Sequence, residues 1–152
     1  MKKTFFRLLL GILPIIYVLV IWLQSSHFNP ESLFSLSSHV RIEILLLVGV
    51  GFELFHLFQF GILYVFLALA CLRFGKFTKR VEIVLITVSM IYGLVDEVHQ
   101  MYVPFRSFSI SDLLKDWIGV IVASLIIHRS YFSKKKSRLG LALRRIEGKS
   151  GK

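Results

Sequence analysis

Four apolar runs, separated by short polar or basic breaks, organise this chain. The first goes from about Thr4 to Leu23. A helix of that length covers about 30 Å, enough for one bilayer crossing. Lys2, Lys3 and Arg7 flank it as they would a signal peptide. The run is long for one, however, and Gln24-Ser25-Ser26-His27 is a poor cleavage site, so an uncleaved span is expected. Pro14 lies inside it, where a kink or a neighbouring helix must accommodate the freed carbonyl. Residues 24–38 carry Ser, Asn and Pro and read as an exposed loop. The apolar stretch that follows is too long for one crossing, which predicts an interfacial or re-entrant helix at Val40–Val50, broken around Gly49 and Gly51. The second span then runs from about Phe52 to Phe74 and the third from Val81 to Met101. Pro104 and Phe105-Arg106-Ser107 make a tight connection. Ser109 and Asp112 stand at capping-box spacing, so the fourth span starts at Ile110 and ends near His128. The fold class expected is all-α: an integral membrane bundle of four transmembrane helices, an interfacial helix near 40–50, and a basic cytoplasmic tail. A transmembrane domain at 1–128 and the tail at 129–152 divide the chain.

Composition agrees with the pattern. The chain is 55% hydrophobic and only 18% charged, and long stretches hold no charge at all. The lipid bilayer is therefore its solvent. A net charge of +10 taken alone suggests nucleic acid, but the placement of the cations argues otherwise. Lys2, Lys3 and Arg7, the loop bearing Arg73, Lys76, Lys79 and Arg80, and the tail all fall on one side of a four-span chain. Short basic loops stay in the cytoplasm, so both termini are expected there, and no nucleic-acid partner is. The Lys134-Lys135-Lys136 run is expected on anionic lipid head groups, with a weakly amphipathic Leu139–Ile146 lying on the membrane surface. Cys71 is the one cysteine and sits in an apolar run, which reads as a packing residue.

The remaining polar residues converge. Glu53, His56 and Gln59 or Phe60 recur on one face at the start of the second span. Asp96, His99 and Gln100 share a face at the end of the third, with Glu97 pointing about 100° away. Asp112, Asp116, Gly119 and Ala123 form a stripe on the fourth, polar at one end and small below. Arg106 lies on the connection between the last two spans. All of these belong to the outer end, and the inner end offers only basic residues. Ionisable groups at membrane depth are expensive and mark functional sites by default, although polar pairs also pin helices together. His56, His99, Asp96 and Glu97 have the chemistry of metal ligands, but there is no H-E-x-x-H pattern and Glu97-Val98-His99 is not a metal signature. No metal is expected on this ground, and the pattern assigns no cofactor. Glu97 and His99 are the candidate acid/base pair. Arg106 could clamp a phosphate or carboxylate, with Asp96, Gln100, His56, Asp112 and Asp116 in binding roles. Ser107, Ser109 and Ser111 belong to the turn and cap.

Asp96-Glu97-Val98-His99-Gln100, followed by Val103-Pro104-Phe105-Arg106 and by Ser109, Asp112 and Gly119, resembles the VanZ-like family of small bacterial membrane proteins. His56 in Phe55-His56-Leu57-Phe58-Gln59-Phe60-Gly61 and the pair Ser25-Ser26 are also similar, so the likeness covers about residues 10–128. Phe105 stands where the family usually has Gly, Asp116 where Asn is common, and Gln59 where an aromatic is frequent. The resemblance implies a multi-span helical protein of the bacterial plasma membrane and cell envelope. The founding member is associated with low-level resistance to teicoplanin, an acylated glycopeptide acting at the outer membrane face. The first expectation is thus an envelope protein that handles an amphiphilic or lipid-linked ligand at the outer leaflet. A membrane enzyme acting on a lipid-linked phosphate or carboxylate precursor is the second. A non-catalytic subunit of a membrane complex is the third.

Overall fold

The computed structural model describes residues 2–27, 41–133 and 137–148. Among them are five helices and no strand: α1 (Lys2–His27), α2 (Ile42–Phe74), α3 (Lys79–Gln100), α4 (Ile110–Phe132) and α5 (Arg138–Gly148). Two contain segments long and apolar enough to cross a membrane, Leu8–His27 in α1 and Leu54–Phe74 in α2. The helices α3 and α4, of 22 and 23 residues, are of similar length and carry Glu82, Asp96, Glu97, Asp112 and Asp116.

Helix starts follow local chemistry. Thr78 caps α3 by accepting the Val81 N–H at 3.3 Å, and Ser109 caps α4 by accepting the Asp112 N–H at 3.2 Å. The start expected at Ile110 is the one observed. Two other expectations need correction. Residues 24–27, expected in a loop, complete the last turn of α1. The break expected around Gly49 and Gly51 does not occur, and α2 continues through both for 33 residues. Each mid-helix glycine costs only about 1 kcal/mol, which the Leu- and Ile-rich turns on either side outweigh. Residues 28–40, including the rest of the expected loop, and the side chain of Glu53 lie outside the described residues.

Helix α2 is the axis of the bundle and packs against all four other helices, most extensively against α4. Phe60, Leu63, Tyr64, Ala68 and Leu72 recur at helical spacing along its buried face. They meet Ile21 of α1, Leu85 of α3 and Val120 and Ile127 of α4. Where α2 crosses α4 the backbones touch. A Cβ at Gly119 would overlap the Leu57 carbonyl oxygen, and one at Gly61 would lie 2.8 Å from the Gly119 oxygen. Only a pair of glycines permits that approach.

The polarity of the bundle is inverted. Large apolar side chains face outward on every long helix, among them Ile15, Leu19, Phe58, Ile83, Ile91, Ile118 and Leu125. Gln59, Ser89, Asp96, Glu97, Gln100, Asp116 and Ser124 are inside. A chain dissolved in water would place both sets the other way round.

The tail helix α5 also departs from expectation. Its apolar residue Leu143 is buried in the bundle core beside Ile146, so this part of its apolar face meets protein. Arg73 donates to the Ile146 carbonyl at 3.3 Å, Tyr131 to Glu147 at 2.6 Å, and Arg144 to the carbonyls of Tyr131 and Ser133 at 2.8 and 2.7 Å. Leu139 and Leu141 stay exposed. The Lys134-Lys135-Lys136 run lies outside the described residues.

Candidate functional site

The Gly61–Gly119 crossing sets the site. It holds His56, five residues above Gly61 on α2, beside Asp116, three residues above Gly119 on α4. His56 Nδ1 lies 3.7 Å from Asp116 Oδ1. On α3, Gly93 faces Asp116, whose Cβ would be 3.6 Å from a Cβ built there, so α3 comes close at the same level. One turn on, α3 delivers Asp96, Glu97 and Gln100. Donor atoms of His56, Glu97 and Asp116 then lie within 4.8 Å of one another. Three helices contribute one side chain each.

Hydrogen bonds orient part of this cluster. Gln100 Nε2 donates to Asp96 Oδ2 at 2.8 Å, one turn back along α3. The backbone N–H of Ser109 donates to Glu97 Oε2 at 2.9 Å. Glu97 therefore holds the residue that caps α4. The other oxygens are left over. Asp96 Oδ1, Glu97 Oε1, both Asp116 oxygens, Gln59 Oε1 and His56 Nδ1 are buried without a hydrogen-bond partner among the described residues. Glu97 is 0% exposed, and Asp96 and Asp116 are 1% exposed. A cavity of about 40 Å³ adjoins them, lined by Gln24, Ser25, His56, Gln59, Asp96, Gln100 and Arg106. That is room for a water or two.

Of the residues singled out from the sequence, Asp96, Glu97, Gln100, His56, Asp116 and Arg106 are gathered at this end. Asp112 sits at the rim, where Lys115 donates to it at 2.8 Å. His99 goes elsewhere. Its Nε2 is 2.9 Å from Ser26 Oγ and its ring stacks on Trp22 at 3.7 Å, both on α1. The histidine beside Glu97 is His56, so an acid/base couple in this geometry would be Glu97 with His56. Gln24 and Ser25 also line the cavity. Their place in an expected loop hides this, and only the extra turn of α1 brings them in.

The expectation that the opposite end holds only basic residues also needs correction. Glu82 of α3 is buried there and lies 2.7 Å from His128 Nδ1 on α4. Glu82 stands among the cations of the 73–80 loop in sequence, which masks it as one more surface charge.

Comparison with known proteins adds one result. A family model described as VanZ/LLP1 matches residues 8–132, which takes in α1 through α4 and leaves out α5. No curated protein and no solved structure matched the chain.

Proposed function

The chain belongs to the VanZ/LLP1 family, and from that premise we propose that it crosses the bacterial plasma membrane four times, with both termini in the cytoplasm and the acidic cluster at the outer leaflet. The observation that carries this reading is the inverted polarity of the bundle. Its outside is apolar over all four long helices. Of the four buried acids among the described residues, three, Asp96, Glu97 and Asp116, collect at the end away from the basic loop at 76–80 and the basic α5, the fourth being Glu82 beside His128. Such an arrangement fits the rule that cations remain on the cytoplasmic side. The basic tail, docked through α5, then lies on the side where anionic lipid head groups would meet it.

In this orientation the cluster receives the polar head of an amphiphilic or lipid-linked molecule. Asp96, Glu97, Asp116 and His56 offer acceptors, and Arg106 on the cavity wall is a donor for an anionic group. An apolar groove of about 270 Å³ supports the amphiphile. It starts at Leu57, next to His56, and follows the α2–α4 crossing down to Ile126. Its apolar lining suits an acyl chain. Through such binding the protein would alter susceptibility to an acylated glycopeptide such as teicoplanin.

The test is susceptibility to teicoplanin and vancomycin in a sensitive Gram-positive host. Wild type, Glu97→Gln and Arg106→Ala are expressed at matched membrane levels. The expected result is a teicoplanin-selective gain in tolerance, lost in both variants. No gain with the wild type rejects the resistance role, and gains that follow protein abundance alone reject the site.

A further inference from the structure

Two carboxylates and an imidazole, each from a different helix, meet at the centre of the cluster: Glu97 of α3, Asp116 of α4 and His56 of α2. Their donor atoms are within 4.8 Å of one another, a spread that small rotations about the side-chain torsions close to the 3–3.5 Å or so separating neighbouring ligands of one ion. Glu97 Oε1, both oxygens of Asp116 and His56 Nδ1 are buried and have no hydrogen-bond partner among the described residues. Glu97 and Asp116 are 0% and 1% exposed. Carboxylates removed from water without a partner are among the most costly groups a fold can hold, and those that persist are paired or bind metal. Here the one ion-pair contact within the trio is the long one between His56 Nδ1 and Asp116 Oδ1 at 3.7 Å, and the Glu97 carboxylate lies close to both.

We propose that His56, Glu97 and Asp116 bind a single divalent transition-metal ion, Zn²⁺ ahead of Mn²⁺. Donor chemistry selects the ion. An imidazole with two carboxylates favours Zn²⁺ or Mn²⁺, whereas Mg²⁺ and Ca²⁺ prefer oxygen alone. Three protein ligands leave a further position open, as in zinc sites that hold water or substrate. The fold supplies the supporting contacts. The Ser109 N–H holds Glu97 Oε2 at 2.9 Å and leaves Oε1 for the ion. Gly93 opposite Asp116 gives its carboxylate room. The cavity lined by Gln24, Gln59 and Arg106 reaches His56 and provides the approach. Charge gives a further reason. With its acids ionised, the cluster is net negative and would repel the anionic head group that Arg106 suits. A dication offsets two of the charges and offers its open position to that same phosphate or carboxylate.

The proposal rests on this cluster being a site, but neither on the direction it faces nor on any effect on glycopeptides. Full-length protein purified in detergent and stripped with chelator is titrated calorimetrically with ZnCl₂, MnCl₂ and MgCl₂, with metal content of the gel-filtered protein as a second measurement. One Zn²⁺ per chain is expected, with weaker Mn²⁺ binding and little for Mg²⁺. Glu97→Gln and Asp116→Asn should each weaken Zn²⁺ by at least about 100-fold, since even supporting residues of metal sites contribute about 10- to 100-fold. Glu82→Gln, which removes the Glu82–His128 pair at the opposite end, should leave Zn²⁺ binding unchanged. His56→Asp makes the ligand set all oxygen and should move the preference toward Mn²⁺ and Mg²⁺, an outcome that mere misfolding would not produce. Three results would each overturn the proposal: no metal on the wild type, Zn²⁺ binding that survives both carboxylate substitutions, or Mg²⁺ bound in preference to the other two. A negative result leaves the susceptibility reading intact, because Arg106→Ala tests that separately.

Discussion

At residue scale, Phe105 carries the clearest strain. Its φ is 63°, in the left-handed region that a bulky side chain avoids, and it is the one non-glycine residue with positive φ among those described. The side chain is 62% exposed, so little packing offsets the cost. The turn it makes sits immediately before Arg106, on the wall of the cavity. Phe105→Gly should relieve about 1 kcal/mol, and Phe105→Val should worsen the strain. In thermal unfolding of the detergent-solubilised protein, the glycine variant should melt no lower than wild type and the valine variant lower. A lower Tm for glycine would show that the turn is not under strain. Glu97 separates two roles in the same way. An amide at this position still accepts the Ser109 N–H, whereas Glu97→Leu does not. Glu97→Leu should therefore lose about 1–3 kcal/mol of stability and Glu97→Gln much less. Equal losses would mean that the bond contributes nothing. Helical period alone is enough to pair Asp96 with Gln100, because both lie on one face of one helix. It cannot pair Glu97 with His56, forty-one positions earlier in the numbering, because that contact depends on how α2 crosses the bundle.

At the scale of elements, the α2–α4 crossing decides most. Backbone contact at Gly61 and Gly119 leaves no room for a methyl group. Gly119→Ala should push the helices apart and cost about 1–3 kcal/mol, with His56 and Asp116 moved off register. Thermal stability together with a disulfide-trapping distance between α2 and α4 would measure both effects. A variant with wild-type Tm would contradict so close an approach. Helix α5 rests on fewer contacts, and Leu143 is its buried anchor. Leu143→Ala should loosen the helix, at a cost of about 2–5 kcal/mol if the site cannot collapse, and should speed tryptic cleavage at Arg144 and Arg145. Unchanged cleavage would mean that the anchor is dispensable. Elements with a local signal, such as the Ser109 cap, are legible from the sequence. The continuity of α2 is not, since glycine pairs suggest a break that neighbouring turns override. The docking of α5 is not either, because an amphipathic stripe does not say whether protein or lipid covers it.

At the scale of the whole molecule, four apolar runs in the sequence become an inverted bundle with Asp96, Glu97 and Asp116 inside one end and Glu82 inside the other. Which end faces out is open to direct labelling. On a Cys71→Ala background, Ser107→Cys should react with an impermeant maleimide in intact cells, and Ser137→Cys only after permeabilisation. Both positions are exposed. The reverse pattern would invert the topology and move the cluster to the cytoplasmic face. The length of α2 has a consequence for the bilayer itself. Its 33 residues extend about 50 Å, whereas the hydrocarbon layer is about 30 Å thick. Even a tilt of about 40°, the steep end of what membrane helices adopt, leaves it some 8 Å too long. The surplus falls on the first turns, where Ile44, Leu47 and Val50 are exposed and apolar. In the proposed four-span arrangement, lipid covering these residues beyond the Leu54–Phe74 span would have to stretch, and hydrophobic mismatch would then draw the protein toward the thicker patches of the membrane.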